Sequence, residues 1–246
     1  MPDSVRSRCY PESRFGGFTD IDGTLVFYRR VQALLTADAV ALDIGCGRGQ
    51  YMDDPIGVRR DARILRGKCR RVIGLDVDAA AQSNPFIDEF ALLDGPRWPV
   101  ADASIDLALA DFVLEHVADP DRFFDELARV LRPGGVACLR TPNAWGYVAV
   151  CSRLIPNRFH ASVLAKTQDR RKAEDVFPTF YRCNRAGKMR RQFARHGFDA
   201  CVYGHEAEPS YFAFSTVMYR LAQCYHRACP SALKNCLFAF ARKPTP

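Results

Sequence analysis

The chain has 246 residues, 48% of them hydrophobic and 26% charged, with a formal net charge of +7. These are the proportions of an ordinary globular protein with one large core, and the absence of any run of about 18 apolar residues excludes a spanning helix. Residues 1–8 lack the apolar stretch of a secretory leader, and ten cysteines without one Cys-x-x-C pair form neither a disulfide framework nor a zinc site, so a reduced cytoplasmic chain with no metal is expected.

Basic residues are scattered, with local clusters around Arg59–Arg71 and Arg182–Arg195, so charge alone selects no partner. Residues 1–20 are polar and read as loop or an ordered cap. Leu25–Leu35 is aromatic and apolar at helical spacing. Val40-Ala-Leu-Asp-Ile is a short buried strand. A helix should follow Gly49, but Pro55 and Gly57 interrupt it, and Arg59–Arg66 can resume it. Further apolar runs at Arg71–Asp76, Phe90–Asp94 and Ile105–Asp111 each end in an acid. Pro120–Leu131 is an amphipathic helix with Phe123, Phe124, Leu127 and Val130 on its apolar face, stopped by Pro133-Gly134-Gly135. Gly135–Thr141 reads as a fifth strand.

Strands alternating with helices over 36–141 predict an α/β fold: an open, mostly parallel sheet with helices on both faces. Residues 142–187 are aromatic, basic and irregular; a long segment of this kind suits a cover over a substrate. A helix at Lys188–His196, strands at Phe198–Tyr203 and Cys236–Arg242, and a helix within 210–228 complete seven strands. The expected division of a single domain is a cap at 1–35, a core at 36–141, an insertion at 142–197 and a final unit at 198–246. Tyr211, Phe212, Phe214, Met218 and Tyr219 suit a helix packed on the sheet or one touching a lipid surface.

Ligands of such sheets bind beyond the carboxyl ends of the strands. Asp43, Asp76, Asp94 and Asp111 are each the last residue of a predicted strand, so four acids line one rim. The turn Asp43-Ile-Gly-Cys-Gly-Arg-Gly49 has glycines at every second position, unlike the Gly-x-Gly-x-x-Gly of dinucleotide folds. A carboxylate just before the turn repels a pyrophosphate and suits an ammonium group. Gly45 and Gly47 let backbone approach a ligand closely, and Asp76 is placed to accept both hydroxyls of a ribose. An amino acid at one end and a ribose at the other describe S-adenosylmethionine.

In these motifs the chain resembles the class I S-adenosylmethionine-dependent methyltransferases, within their quinone-biosynthesis-like small-molecule group. D-I-G-C-G-R-G matches the family's first motif and V-I-G-L-D-V-D its second. D-G-P-R-W-P-V-A-D-A-S-I-D resembles the adenine-side segment, with Trp98 and Val100 in place of Leu and Phe. A-D-F-V-L-E-H-V and L-R-P-G-G match the segments after the fourth strand and before the fifth. The chain departs from the family between Gly49 and Asp76, where two breaks and a basic stretch lengthen the first crossover.

The resemblance implies a Rossmann-like seven-stranded sheet with a C-terminal antiparallel hairpin. It also implies roles. Asp43, Gly45, Cys46 and Gly47 would face the methionine end, and Asp76 the ribose, with Val77 against the adenine. Asp94 and Gly95 would meet the adenine amino group, and Asp111 and Phe112 would lie near the sulfonium. Methyl transfer is an in-line displacement that needs positioning and, for an oxygen acceptor, a base. His116, after the fourth strand, and His160 are the candidate bases; each can equally be a packing or surface histidine. Tyr28, Tyr147, Arg158, Tyr181 and Arg182 are the candidate contacts to an oxygenated or anionic acceptor. The expected acceptor is a small molecule: a sugar, a polysaccharide precursor, a quinone-like or a lipid-linked compound.

Two alternatives stay open. An RNA or tRNA methyltransferase suits the basic balance, but no RNA-binding module is appended and A-D-F-V-L-E-H lacks the N/D-P-P-Y signature of base-amino methylation. The other is a non-enzymatic S-adenosylmethionine-binding or scaffold protein; the intact acids argue against it, since a binding-dead copy would be free to lose them.

Overall fold

The computed structural model describes residues 4–154 and 178–245. Seven strands form one sheet: β1 (Val40–Ile44), β2 (Arg71–Asp76), β3 (Glu89–Leu92), β4 (Ile105–Asp111), β5 (Leu131–Pro142), β6 (Asp199–His205) and β7 (Cys236–Arg242). Their spatial order is β3-β2-β1-β4-β5-β7-β6. The first five pair in parallel, whereas β7 runs antiparallel to both β5 and β6. Strand order reverses between β1 and β4, so a crevice opens beyond their carboxyl ends. This is the expected architecture.

The strands read as continuous apolar runs because both faces are covered. Along β1, Leu42 and Ile44 pack into a core with Phe124, Leu127 and Phe193. Ala41, of opposite pleat, packs into a second core with Phe27, Val31 and Phe238. β4 divides likewise, Ala108 and Ala110 to the first core, Leu107 and Leu109 to the second. The helices that supply these residues are α4 (Pro120–Val130) and α6 (Ala186–Arg195) on one face and α2 (Gly23–Leu34) on the other. The starts of α2 and α4 are capped locally. The Asp22 carboxylate accepts from the amides of Thr24 and Leu25, both at 3.0 Å, and Asp119 caps α4 by accepting from Arg122 N at 3.2 Å.

Several boundaries differ from the sequence reading. Val5–Cys9 forms a short helix, α1, where loop or cap was expected. After Gly49 comes one 3-10 turn, Gln50–Asp53, and then α3 (Gly57–Arg63), which starts before Arg59 and stops short of Arg66. Pro133-Gly134-Gly135 lies inside β5; α4 already ends at Val130 because Leu131 is extended (φ −68°, ψ 132°). Asp43 is the penultimate residue of β1, and Asp94 lies two residues beyond β3, which ends at Leu92. Part of the segment read as irregular is helical: α5 spans Tyr147–Leu154. The last helix, α7, spans Thr216–Ala228. Among the described residues, no helix is long and apolar enough to cross a membrane, and no group of three His, Cys, Asp or Glu is placed to hold a metal ion.

Candidate functional site

The turn after β1 is shaped by backbone demands that only glycine meets cheaply. Gly45 and Gly47 have φ of +68° and +53°, in the left-handed region that costs other residues about 1 kcal/mol. A Cβ on Gly45 would also stand 2.5 Å from Val113 Cγ2. The turn is tied to β2: Gly45 N donates to Leu75 O at 2.7 Å, and Gly47 N to Asp76 Oδ2 at 2.9 Å. From below, Asn84 donates to the carbonyls of Cys46 and Gly47 at 2.9 and 3.1 Å. Cys46 is buried. Burial, then the charges of Asp43 and Asp76, push its thiol up, so it stays neutral and fills the space left by Gly74, where a Cβ would come within 2.8 Å of its sulfur.

Over this rim opens a cleft of about 1290 Å3. Gly45, Gly47, Asp76, Val77, Gly95, Asp111, Phe112 and His116 line it. Asp43, Cys46 and Asp94 are not in its lining. Asp94 is exposed, while its neighbours Leu93 and Gly95 reach the cleft. On the side of Val77, the wall is apolar, with Leu93, Trp98 and Phe123. The opposite wall comes from the lengthened crossover: Gln50, Tyr51, Arg59 and Arg63. Arg59 bridges Asp22 at 3.2 Å and Asp54 at 2.7 Å, which fastens α3 to the start of α2.

Three carboxylates crowd the rim, and their surroundings differ. Asp76 takes the Gly47 amide on one oxygen and, at 2.9 Å, the Asp78 amide on the other; a carboxylate accepts about four hydrogen bonds, so capacity remains. Asp111 is held by Arg140 of β5 through a two-pronged ion pair. It also accepts from the Tyr28 hydroxyl at 3.0 Å. Arg140 is 4% exposed, and the Phe27, Tyr28 and Phe112 rings lie 5.2, 5.7 and 4.7 Å from its guanidinium. Asp43 has neither: among the described residues no cation and no hydrogen-bond donor meets its carboxylate. Burial, then the like charges of Asp111 and Asp76, raise it from 3.8 to about 7.

Phe112 follows β4 with a φ of +57°, and its ring, 40% exposed, forms part of the cleft wall. Next comes the turn Leu114–His116. His116 Nδ1 lies 2.9 Å from the carbonyl oxygen of Pro178. A carbonyl only accepts, so Nδ1 carries the hydrogen and Nε2 is the basic nitrogen of the neutral ring. Glu115 turns the other way, into the protein. Its carboxyl, raised by burial, accepts from Thr141 Oγ1 at 3.0 Å, and Thr141 in turn accepts from Asn184 at 2.5 Å. The Glu115 backbone carbonyl accepts from the amides of Phe180 and Tyr181 at 2.7 and 3.2 Å. The segment 178–184 is thereby tied to the histidine turn.

The residues expected to touch the acceptor do not gather. Tyr28 is not at hand for an acceptor: it is 5% exposed, with its hydroxyl on Asp111. Tyr147 stands in α5 and packs against Phe212 and Tyr225, ring centroids 5.9 and 5.8 Å away, outside the cleft lining. Tyr181 has a φ of +52° and is also outside the lining. Arg182 lines a separate shallow depression with Lys188 and Arg191. Arg158 and His160 lie outside the described residues. The sequence reading missed Arg140, Asn84, Tyr51, Thr141 and Asn184. One signal was available: Arg140 is a charge directly after the apolar run Val136–Leu139 of a central strand, where an unpaired cation is very costly.

The methyltransferase domain model matches residues 42–139. A Mycolicibacterium smegmatis relative named "Probable S-adenosylmethionine-dependent methyltransferase" is 36% identical over 125 residues, covering 48% of this chain and 43% of the relative. The chain thus spans less than half the length of this relative. The fold is shared with an S-adenosylmethionine-dependent methyltransferase from Archaeoglobus fulgidus (TM-score 0.53, 17% identity, 94% of this chain and 97% of that one). It is shared also with geranyl diphosphate C-methyltransferase from Streptomyces coelicolor (TM-score 0.51, 15% identity, 91% and 78%). Residues 42–139 belong to the methyltransferase-domain family.

Proposed function

We propose that this chain, with its methyltransferase domain at 42–139 as premise, moves a methyl group from S-adenosylmethionine to a small-molecule acceptor. The observation that carries the reading is the uneven compensation of the rim. Of three carboxylates within reach of one another, Asp111 is neutralised by Arg140 and Asp76 is hydrogen-bonded by amides, whereas Asp43 has no partner among the described residues and is held at about 7. A rim of this kind attracts one cationic group beside one hydroxylated group. It is a poor host for a pyrophosphate.

The residues present fit the cofactor. The Gly45–Gly47 backbone and Asp43 would hold the aminoacyl end, Asp76 the ribose hydroxyls, and Val77, Leu93 and Trp98 the adenine. Bound there, the cofactor supplies an electrophilic methyl on a sulfonium. The cleft exceeds the 300–1,000 Å3 or so of a single small-ligand pocket, leaving room for an acceptor between Tyr51 and Phe180. The acceptor is a sugar, polysaccharide precursor, quinone-like or lipid-linked compound with a protonated nucleophile. His116 takes the proton it loses, with Nε2 as base and the Pro178 carbonyl fixing the tautomer. Phe112 and Val117 exclude water from the transfer region.

Titration calorimetry with S-adenosylmethionine and, separately, NAD tests the reading. Binding of the first and not the second is expected, with Asp76→Ala weakening it by about ten- to a hundredfold because a charged acceptor is lost. No binding of S-adenosylmethionine overturns the proposal. Label transferred from the cofactor should appear in a small-molecule fraction of cell extract; label in RNA alone would reassign the acceptor.

A further inference from the structure

α7 turns its most apolar side outward. Tyr219, Ala222, Gln223 and His226 face inward and are buried. Val217, Met218, Leu221 and Tyr225, interleaved at helical spacing, face outward. Leu221 is 60% and Val217 68% exposed, and Phe214 at the foot of the helix is 79% exposed. A soluble helix ordinarily turns charge outward, so this face is matched to something other than water.

The charges beside it indicate what. Arg220 and Arg227 are exposed at one edge of the stripe, and neither is ion-paired among the described residues. No acidic residue lies in α7, and none follows Glu208 in the whole sequence. An apolar ridge edged by arginines and free of carboxylates complements an anionic lipid headgroup layer, with the aromatic rings at the level of the headgroups. A second copy of the chain fits less well, since a two-fold contact through this face brings like arginines together. Thirteen residues measure about 20 Å as a helix, too short for a hydrocarbon core of about 30 Å. The helix would therefore lie in the interface plane.

We infer that the outward face of α7 docks the protein on an anionic membrane surface, with Phe214, Val217 and Leu221 entering the interface and Arg220 and Arg227 pairing with headgroups. This docking is independent of methyl transfer and stands or falls apart from it.

Co-sedimentation of the full chain with phosphatidylcholine vesicles, with and without phosphatidylserine, tests the inference. Binding is expected to the phosphatidylserine vesicles and to fall with salt. Arg220→Ala with Arg227→Ala should weaken it about thirty-fold, from the usual contribution of each arginine near an anionic surface. Val217→Asp with Leu221→Asp should abolish it, with circular dichroism melting confirming the fold; if that pair fails to fold, the arginine pair decides. Absence of binding to phosphatidylserine vesicles overturns the inference, and so does binding that neither pair alters. A concentration-dependent dimer in analytical ultracentrifugation that Leu221→Asp dissolves also overturns it, because the face then belongs to a second copy.

Discussion

Asp43→Asn separates what the site does from what the fold prefers. The Asp43 carboxyl is held at about 7 against an ordinary 3.8, so the native state resists its ionisation. A raised carboxyl contributes most to stability when protonated, below its unfolded value. That contribution is lost as pH climbs from about 4 to about 7, and above pH 7 the ionised group costs up to about 4 kcal/mol. Partial solvent access screens part of this, leaving about 2 kcal/mol as the expected gain when the charge is removed. Asparagine keeps the shape and drops the charge. Urea unfolding of the ligand-free protein should show Asp43→Asn more stable than wild type at pH 8, with a much smaller gain at pH 5, where the native carboxyl is already protonated. A gain of this size raises the melting temperature by about 6 °C in a chain of this length. The same variant should bind S-adenosylmethionine at least tenfold more weakly at pH 8, because the ammonium loses its counter-charge. A variant equally stable at pH 5 and pH 8, or one that binds the cofactor unchanged, refutes the reasoning.

Other perturbations probe the parts that support the rim. Arg140→Gln leaves the partly buried Asp111 without its cation and should destabilise by about 3 kcal/mol in urea unfolding; adding Asp111→Asn should recover part of the loss, and a cost under 1 kcal/mol would refute the role given to the pair. Gly45→Ala combines left-handed strain with the clash against Val113 and should cost about 2 kcal/mol or more, whereas Gly95→Ala, with nothing within 4 Å of the new Cβ, should stay within about 0.5 kcal/mol. Equal melting temperatures for the two would refute the geometric account. His116→Ala should lower kcat about a hundredfold or more without changing cofactor affinity; unchanged turnover removes His116 from the reaction.

Much of the cofactor end could be read in order along the chain. Val40–Ile44 and the alternating glycines describe a strand, a turn and the φ values that turn needs, all within ten consecutive residues. The parallel sheet was legible because its strands are apolar on both faces, and the two final strands because Phe198–Tyr203 and Cys236–Arg242 have strand composition. Legibility failed where the deciding contact is distant. Tyr147 looked like a loop aromatic facing substrate; it is helical and spends its ring on α7, some eighty residues further on. Tyr28 was expected to touch the acceptor and is a hydrogen-bond donor to Asp111. Strand ends were misjudged at Asp94, because a strand stops where its partner does, and β2 offers β3 no register beyond Leu92.

The sequence by itself determined where the glycine turn and its strand-end acids lie, since backbone conformation and strand-end acids are properties of neighbouring residues. Only the tertiary structure decided which of those acids is left without a partner among the described residues. That depends on Arg140 arriving from β5 beside Asp111 and not beside Asp43, and charge compensation is settled by neighbours in space, over a few ångströms, whatever their separation along the chain.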